Sequence, residues 1–144
     1  MNLDDMYRET ILDHNQMPRN KGTLARPTHT VGLLNPTCGD SIRIDVLIED
    51  GKVADIRFDG QGCAISMASA SMLTQAVKGR TVDEALNLAR DFKQFLLGQD
   101  PNRDLGELAA LEGVSHFPSR VKCATLAHNA LQKALSEGGG EPPR

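Results

Sequence analysis

The chain has 144 residues, 40% of them hydrophobic, and a formal net charge of −3. That is one domain's length, enough to bury roughly 68–70% of the unfolded surface without a disulfide or metal to build the core. No apolar run reaches the ~18 residues of a membrane span, and the acidic start Met1-Asn2-Leu3-Asp4-Asp5 lacks the basic and greasy segments of a secretory signal. There is no Lys/Arg block, and aromatics number one Tyr, four Phe and no Trp, which argues against nucleic-acid binding. The expectation is a cytoplasmic protein with reduced thiols and neither a membrane nor a nucleic-acid partner.

In chain order, Leu3, Met6, Tyr7, Thr10 and Ile11 recur at helical spacing and predict an amphipathic helix from Leu3 to Asn15. Met17-Pro18-Arg19-Asn20-Lys21-Gly22 breaks it, and Pro27 and Pro36 bracket a strand around Thr28 to Leu34. Ile42, Ile44, Val46 and Ile48 alternate with Arg43, Asp45, Leu47 and Glu49. After the turn signal Asp50-Gly51, Ala54, Ile56 and Phe58 alternate with Asp55, Arg57 and Asp59. This predicts an antiparallel hairpin with one apolar and one charged face.

Beyond Gly60-Gln61-Gly62-Cys63 the period becomes helical. Ile65, Ala68, Met72 and Ala76 share a face with Leu73 and Val77 beside them, and Gly79 supplies a stop. Thr81-Val82-Asp83-Glu84 reads as a capping box opening a helix to about Leu97, with Leu86, Ala89, Phe92 and Phe95/Leu96 inward. A short helix is expected over Leu105 to Leu111. A last helix starts near Ser119 and buries Val121, Leu126, Ala127, Ala130, Leu131 and Ala134. Strands early and helices late predict an α+β fold: a small antiparallel sheet of about three strands packed against helices, with a long C-terminal helix. Residues 1–135 form one domain and 136–144 a flexible tail without apolar pattern.

The chemistry lies in three cysteines, an odd number that cannot all pair within one chain. Cys38 stands in Pro36-Thr37-Cys38-Gly39-Asp40, Cys63 in Gly60-Gln61-Gly62-Cys63-Ala64, and Cys123 follows Arg120-Val121-Lys122. All three fall at loop or helix-start positions, where sites are built. Cys63 and Cys123 sit near helix N-termini, which favour a thiolate, and Arg120 and Lys122 add positive charge. Three sulfurs and the Asp40 carboxylate suffice for a four-coordinate metal. The cysteines stand 25 and 60 residues apart, so any shared site must be assembled by the tertiary fold. Buried space-filling thiols and a turn acid at Asp40 are the alternative reading. His14, His29 and His128 read as structural or exposed, while His116, in a loop before Cys123, is the reserve ligand.

These three motifs, with Leu3-Tyr7-Ile11-Leu12-Asp13-His14-Asn15 near the start, resemble the U-type (NifU/IscU-like) iron–sulfur cluster assembly proteins over nearly the whole chain. Lys122 replaces the His that precedes the third cysteine in the scaffold branch, and the stretch between the second and third cysteines is longer. Both features point to the SUF-system branch, SufU. The resemblance implies Zn2+ held by Cys38, Asp40, Cys63 and Cys123. It implies a SufS-type cysteine desulfurase, a pyridoxal-phosphate enzyme, as partner, and downstream cluster-assembly proteins as recipients. It also implies a sulfurtransferase-like reaction in which Cys38 accepts persulfide sulfur while Arg120 steers the docked group. The alternative implied by the scaffold branch is a protein on which iron is bound and a [2Fe–2S] cluster is assembled and transferred.

Overall fold

The computed structural model describes residues 3–36, 39–100 and 104–138, with side chains described from Arg8 to Ser136 inside that range. Helix α1 spans Leu3–Gln16, followed by strands β1 (His29–Asn35), β2 (Asp40–Glu49) and β3 (Lys52–Gln61). Helices α2 (Ala64–Val77) and α3 (Val82–Leu96), a 3-10 helix over Gly106–His116, and α4 (Pro118–Gly138) complete the order. The sheet is antiparallel in the order β1-β2-β3, and the helices pack on its inner face. The α+β expectation is therefore met.

The hairpin forms as its pattern predicts. Glu49 pairs with Lys52 around Asp50 and Gly51, both at positive φ (54° and 73°), the backbone that a two-residue turn demands. Ile42, Ile44 and Val46 are buried. The β3 face departs from strict alternation. Leu47 pairs with Asp55 but Ile48 with Val53, so Ala54 is an extra residue in a bulge. Val53, not Ala54, therefore enters the core. The charged face is also not wholly solvated. Asp45 is buried and accepts from Arg43 Nε (2.9 Å), Thr30 Oγ1 (2.9 Å) and the Leu24 N–H (3.0 Å).

Helix α2 is buried on more than the expected face. Ser66, Ala68, Ser69, Ala70, Ser71, Met72, Leu73, Thr74 and Val77 are all buried, because α1, α4, β3 and the 3-10 helix surround it. No charge occurs between Cys63 and Lys78, which is the pattern of a central helix. Its small polar side chains are used internally. His14, fully buried at the end of α1, lies 2.7 Å from Ser71 Oγ and 3.0 Å from Glu107 Oε2, tying α1 to α2 and the 3-10 helix.

Helix α3 opens with the predicted capping box of Thr81 and Glu84. Its inward stripe centres on Ala85, Leu88, Ala89, Phe92 and Leu96, leaving Leu86 and Phe95 at the margin. The segment expected as a short helix is an eleven-residue 3-10 helix. Helix α4 buries the predicted Leu126, Ala127, Ala130, Leu131 and Ala134 and runs to Gly138, into the stretch read as tail. Residues 139–144 lie outside the described residues. Among the described residues no helix is long and apolar enough to cross a membrane.

Candidate metal centre

Three elements bring their ends together at one edge of the core. Asp40 opens β2, Cys63 is the N-cap of α2, and Cys123 faces inward from α4. One ligand atom from each, the two sulfurs and a carboxylate oxygen, lies within 4.8 Å of the others. Asp40 is 1% exposed and Cys123 0%, while Cys63 is half-buried.

The carboxylate is held by the turn that carries Cys63. Asp40 Oδ1 accepts the Cys63 backbone N–H at 2.9 Å. Oδ2 is buried with no hydrogen-bond partner among the described residues. A carboxylate oxygen left this way costs free energy unless something binds it. Gly60 and Gly62 make the approach possible. Gly60 has φ 149°, and a Cβ there would overlap the Ser41 carbonyl. A Cβ on Gly62 would lie 2.5 Å from Asp40 Oδ1. Two thiols, an orphaned carboxylate oxygen and a cradle without side chains in the way fit a divalent metal of the zinc kind.

The predicted residues fare differently. Asp40, Cys63 and Cys123 meet. Cys38 lies outside the described residues, two positions before Asp40 in sequence. Cys123 is not in the first turn of its helix. Pro118, with no N–H to lose, takes the first helical position, so Cys123 falls in the second turn, beyond the strong reach of the helix dipole. Its sulfur lies 3.8 Å from the Ser119 carbonyl one turn back. His116 is exposed at the end of the 3-10 helix and does not join the ligand group. His14, His29 and His128 are buried structural residues.

Arg120 is exposed and lines a groove of about 780 Å³ rather than the metal site itself. Arg8, Ile11 and Leu12 of α1, Ile65 of α2, and His116 and Phe117 also face this groove. Leu12 and Phe117 are large apolar side chains left open to solvent. Ile65 is two residues from Cys63 and Arg120 three from Cys123, so the groove adjoins the metal centre.

Residues 6–137 match the NifU-like N-terminal domain family. The chain belongs to that family. Within it, this NifU-like chain is 49% identical over 142 residues to the zinc-dependent sulfurtransferase SufU of Bacillus subtilis, covering 96% of each protein. It is 44% identical over 135 residues to the iron–sulfur cluster assembly scaffold protein IscU of Streptococcus pyogenes serotype M1, covering 92% of this chain and 84% of that one. A crystal structure from Fervidobacterium islandicum AW-1, described as an iron–sulfur cluster assembly scaffold protein for the SUF system, superposes with a TM-score of 0.84. It has 30% identity and covers 88% of this chain and 94% of that one.

Sequence reasoning did not single out Asn35 or the role of Gly62 as a cradle for Asp40. The first carries no motif of its own. The second was legible only as a glycine beside a cysteine.

Proposed function

We propose that this NifU-like protein is a zinc-dependent sulfur acceptor in iron–sulfur cluster assembly, taking persulfide sulfur from a cysteine desulfurase onto Cys38. The observation that carries the reading is the largely buried Asp40–Cys63–Cys123 group with its unpartnered carboxylate oxygen. The 49% identity to the zinc-dependent sulfurtransferase SufU of Bacillus subtilis supports the choice of metal and reaction.

Asp40, Cys63 and Cys123 hold the ion, and Cys38 completes the set. Cys38 stands two residues from Asp40 along the chain, a reach of at most about 7 Å between Cα atoms. Zinc, when bound, supplies a redox-inert Lewis acid that keeps its thiols deprotonated. The desulfurase presents a cysteine persulfide. The Cys38 thiolate attacks the outer sulfur, a new S–S bond forms to Cys38, and the old S–S bond breaks with the desulfurase thiolate as leaving group. One thiolate is consumed and one released, so no external oxidant or reductant is needed. An unassisted thiol near pKa 8.5 would be only a few per cent ionised at neutral pH.

The adjoining groove offers a landing surface for the desulfurase. Leu12, Ile65 and Phe117 supply apolar area, and Arg8 and Arg120 present guanidiniums to an acidic partner segment and its anionic persulfide. Iron and a [2Fe–2S] cluster enter as the cargo of the pathway.

The test mixes the zinc-loaded protein with a cysteine desulfurase and cysteine and weighs it intact. Wild type gains sulfur and Cys38→Ser gains none. Undiminished transfer to Cys38→Ser overturns the assignment. Anaerobic reconstitution of a stable [2Fe–2S] cluster that passes to an apo-acceptor, with no persulfide on Cys38, favours the scaffold reading instead.

A further inference from the structure

Asp40 Oδ2 is not the only buried polar atom at this end of the molecule without a partner. Asn35 is 6% exposed, and its Nδ2 has no hydrogen-bond partner among the described residues. Ser66, in the first turn of α2 three residues after Cys63, is 1% exposed with an equally unpartnered Oγ. Buried orphans are few in native proteins, and each calls for an unseen water, ion or ligand.

The sheet register fixes where Asn35 sits. It is the Cα partner of Asp40 across β1 and β2, the last pair of the ladder. Directly opposite residues of an antiparallel pair project to the same side, with Cβ atoms about 4.5–5.5 Å apart. Asn35 therefore stands beside Asp40 on the inward face, in line with Val31 and His29. Its carbonyl is already engaged, because it accepts the Gly39 N–H at 2.9 Å. The side-chain Nδ2 is the donor left unspent.

The chemistry of the two partners differs. A carboxylate oxygen is an acceptor, suited to a cation. An amide Nδ2 is a donor and repels one. What a donor beside a thiolate–metal centre can serve is sulfur, whose negative charge accepts N–H···S bonds that orient the ligand and tune the metal.

We propose that Asn35 is a positioning residue of the metal centre, its buried amide N–H donating to a thiolate sulfur once the ion is held. The inference rests on the metal-binding reading of Asp40, Cys63 and Cys123, and it assigns a role to a residue outside the ligand set. An alanine at position 35 removes the donor with no added bulk, and a leucine removes it while keeping the branching and heavy-atom count at somewhat greater bulk. It also removes an unpartnered polar group from the metal-free protein, so the metal-free and metal-bound forms should respond in opposite senses.

The experiment measures Asn35→Leu and Asn35→Ala against wild type in three ways: thermal unfolding without metal, zinc affinity by chelator competition, and the sulfur-to-cobalt charge-transfer band of the Co2+-loaded protein. The expected result for Asn35→Leu is a metal-free melting temperature at or above wild type. With it come a roughly 10- to 100-fold loss of zinc affinity and a charge-transfer band moved to lower energy. Asn35→Ala should show the same band shift, which keeps the test open if leucine does not fold. Wild-type affinity and an unmoved band in both variants would overturn the proposal while leaving the metal site standing. A wild-type protein with no charge-transfer band at all overturns the metal site and this inference together.

Discussion

Replacing Gly62 by alanine tests the geometry of the centre without touching a ligand. The φ of Gly62 lies outside the left-handed region, so backbone strain is not the issue. The added Cβ meets Asp40 Oδ1 at 2.5 Å, Cγ at 3.0 Å and Cβ at 3.2 Å. Non-bonded carbon contacts settle near 3.5–4.0 Å, so the carboxylate must retreat by roughly an ångström. That retreat breaks the 2.9 Å bond from the Cys63 N–H. A hydrogen bond to a charged group contributes about 1.5–3 kcal/mol, and alanine returns about 0.4–1 kcal/mol through the unfolded chain. The metal-free protein should lose about 1–2 kcal/mol, or roughly 3–6 °C in melting temperature. Zinc affinity should fall at least ten-fold if Asp40 is the ligand proposed above, because its carboxylate is displaced. Thermal unfolding and chelator competition read the two effects. Gly113→Ala, where a Cβ meets nothing within 4 Å, is the matched control. If Gly62→Ala melts and binds zinc like that control, the close packing of Gly62 on Asp40 is not what shapes the centre.

Two further outcomes follow from elements away from the site. His128 is fully buried and stacked on Phe92 with ring centroids 4.2 Å apart; burial first, and then the Lys93 charge, hold its pKa down at about 3. Ser69 Oγ donates to the Ala124 carbonyl (2.6 Å), so His128 donates Nε2–H to Ser69 Oγ (3.2 Å) and its Nδ1 stays bare. Because the folded value lies below the unfolded 6.5, this group's contribution is complete above about pH 6.5. It is lost as pH falls toward 3, at about 1.4 kcal/mol per pH unit. Denaturant titrations at pH 7 and pH 5 should show His128→Gln with a smaller loss than wild type, and equal losses would refute the assignment. Thr81→Ala removes the Oγ1 acceptor of the Glu84 N–H (3.1 Å) and should cost about 1 kcal/mol by the same assay, with zinc affinity unchanged.

Much of the fold was legible because local rules and tertiary packing agree. The period-two alternation of Ile42–Ile48 with Asp50-Gly51 specified the hairpin, and Thr81 with Glu84 marked the start of α3. The bulge at Ala54 was not legible. Val53 and Ala54 are both small and apolar, and only the pairing of Ile48 with Val53 decides which is inward. Helix α2 was underestimated because only its apolar stripe of Ile65, Ala68, Met72 and Ala76, with Leu73 and Val77, was read as inward, whereas Ser69 and Ser71 are buried too and spend their hydroxyls on partners in other helices or loops. The candidate site was visible in residue types but not in geometry. Spacings of 25 and 60 residues match no local metal-binding motif, so the resemblance supplied the grouping that periodicity could not. Asn35 was invisible for a related reason, since its meaning depends on the register that sets it opposite Asp40.

The order in which the ligands come together carries its own consequence. Asp40 and Cys63 are joined by one hairpin and one turn, a short stretch that closes early and cheaply. Cys123 joins them only where α4 packs on α2 and the sheet, 60 residues further along the chain, a closure of much longer range. A nascent or misfolded chain can present half of the cradle but not its third wall. On the proposed metal-binding reading, retention of the ion would thus report completed folding, because the third wall stands only once the last helix is seated.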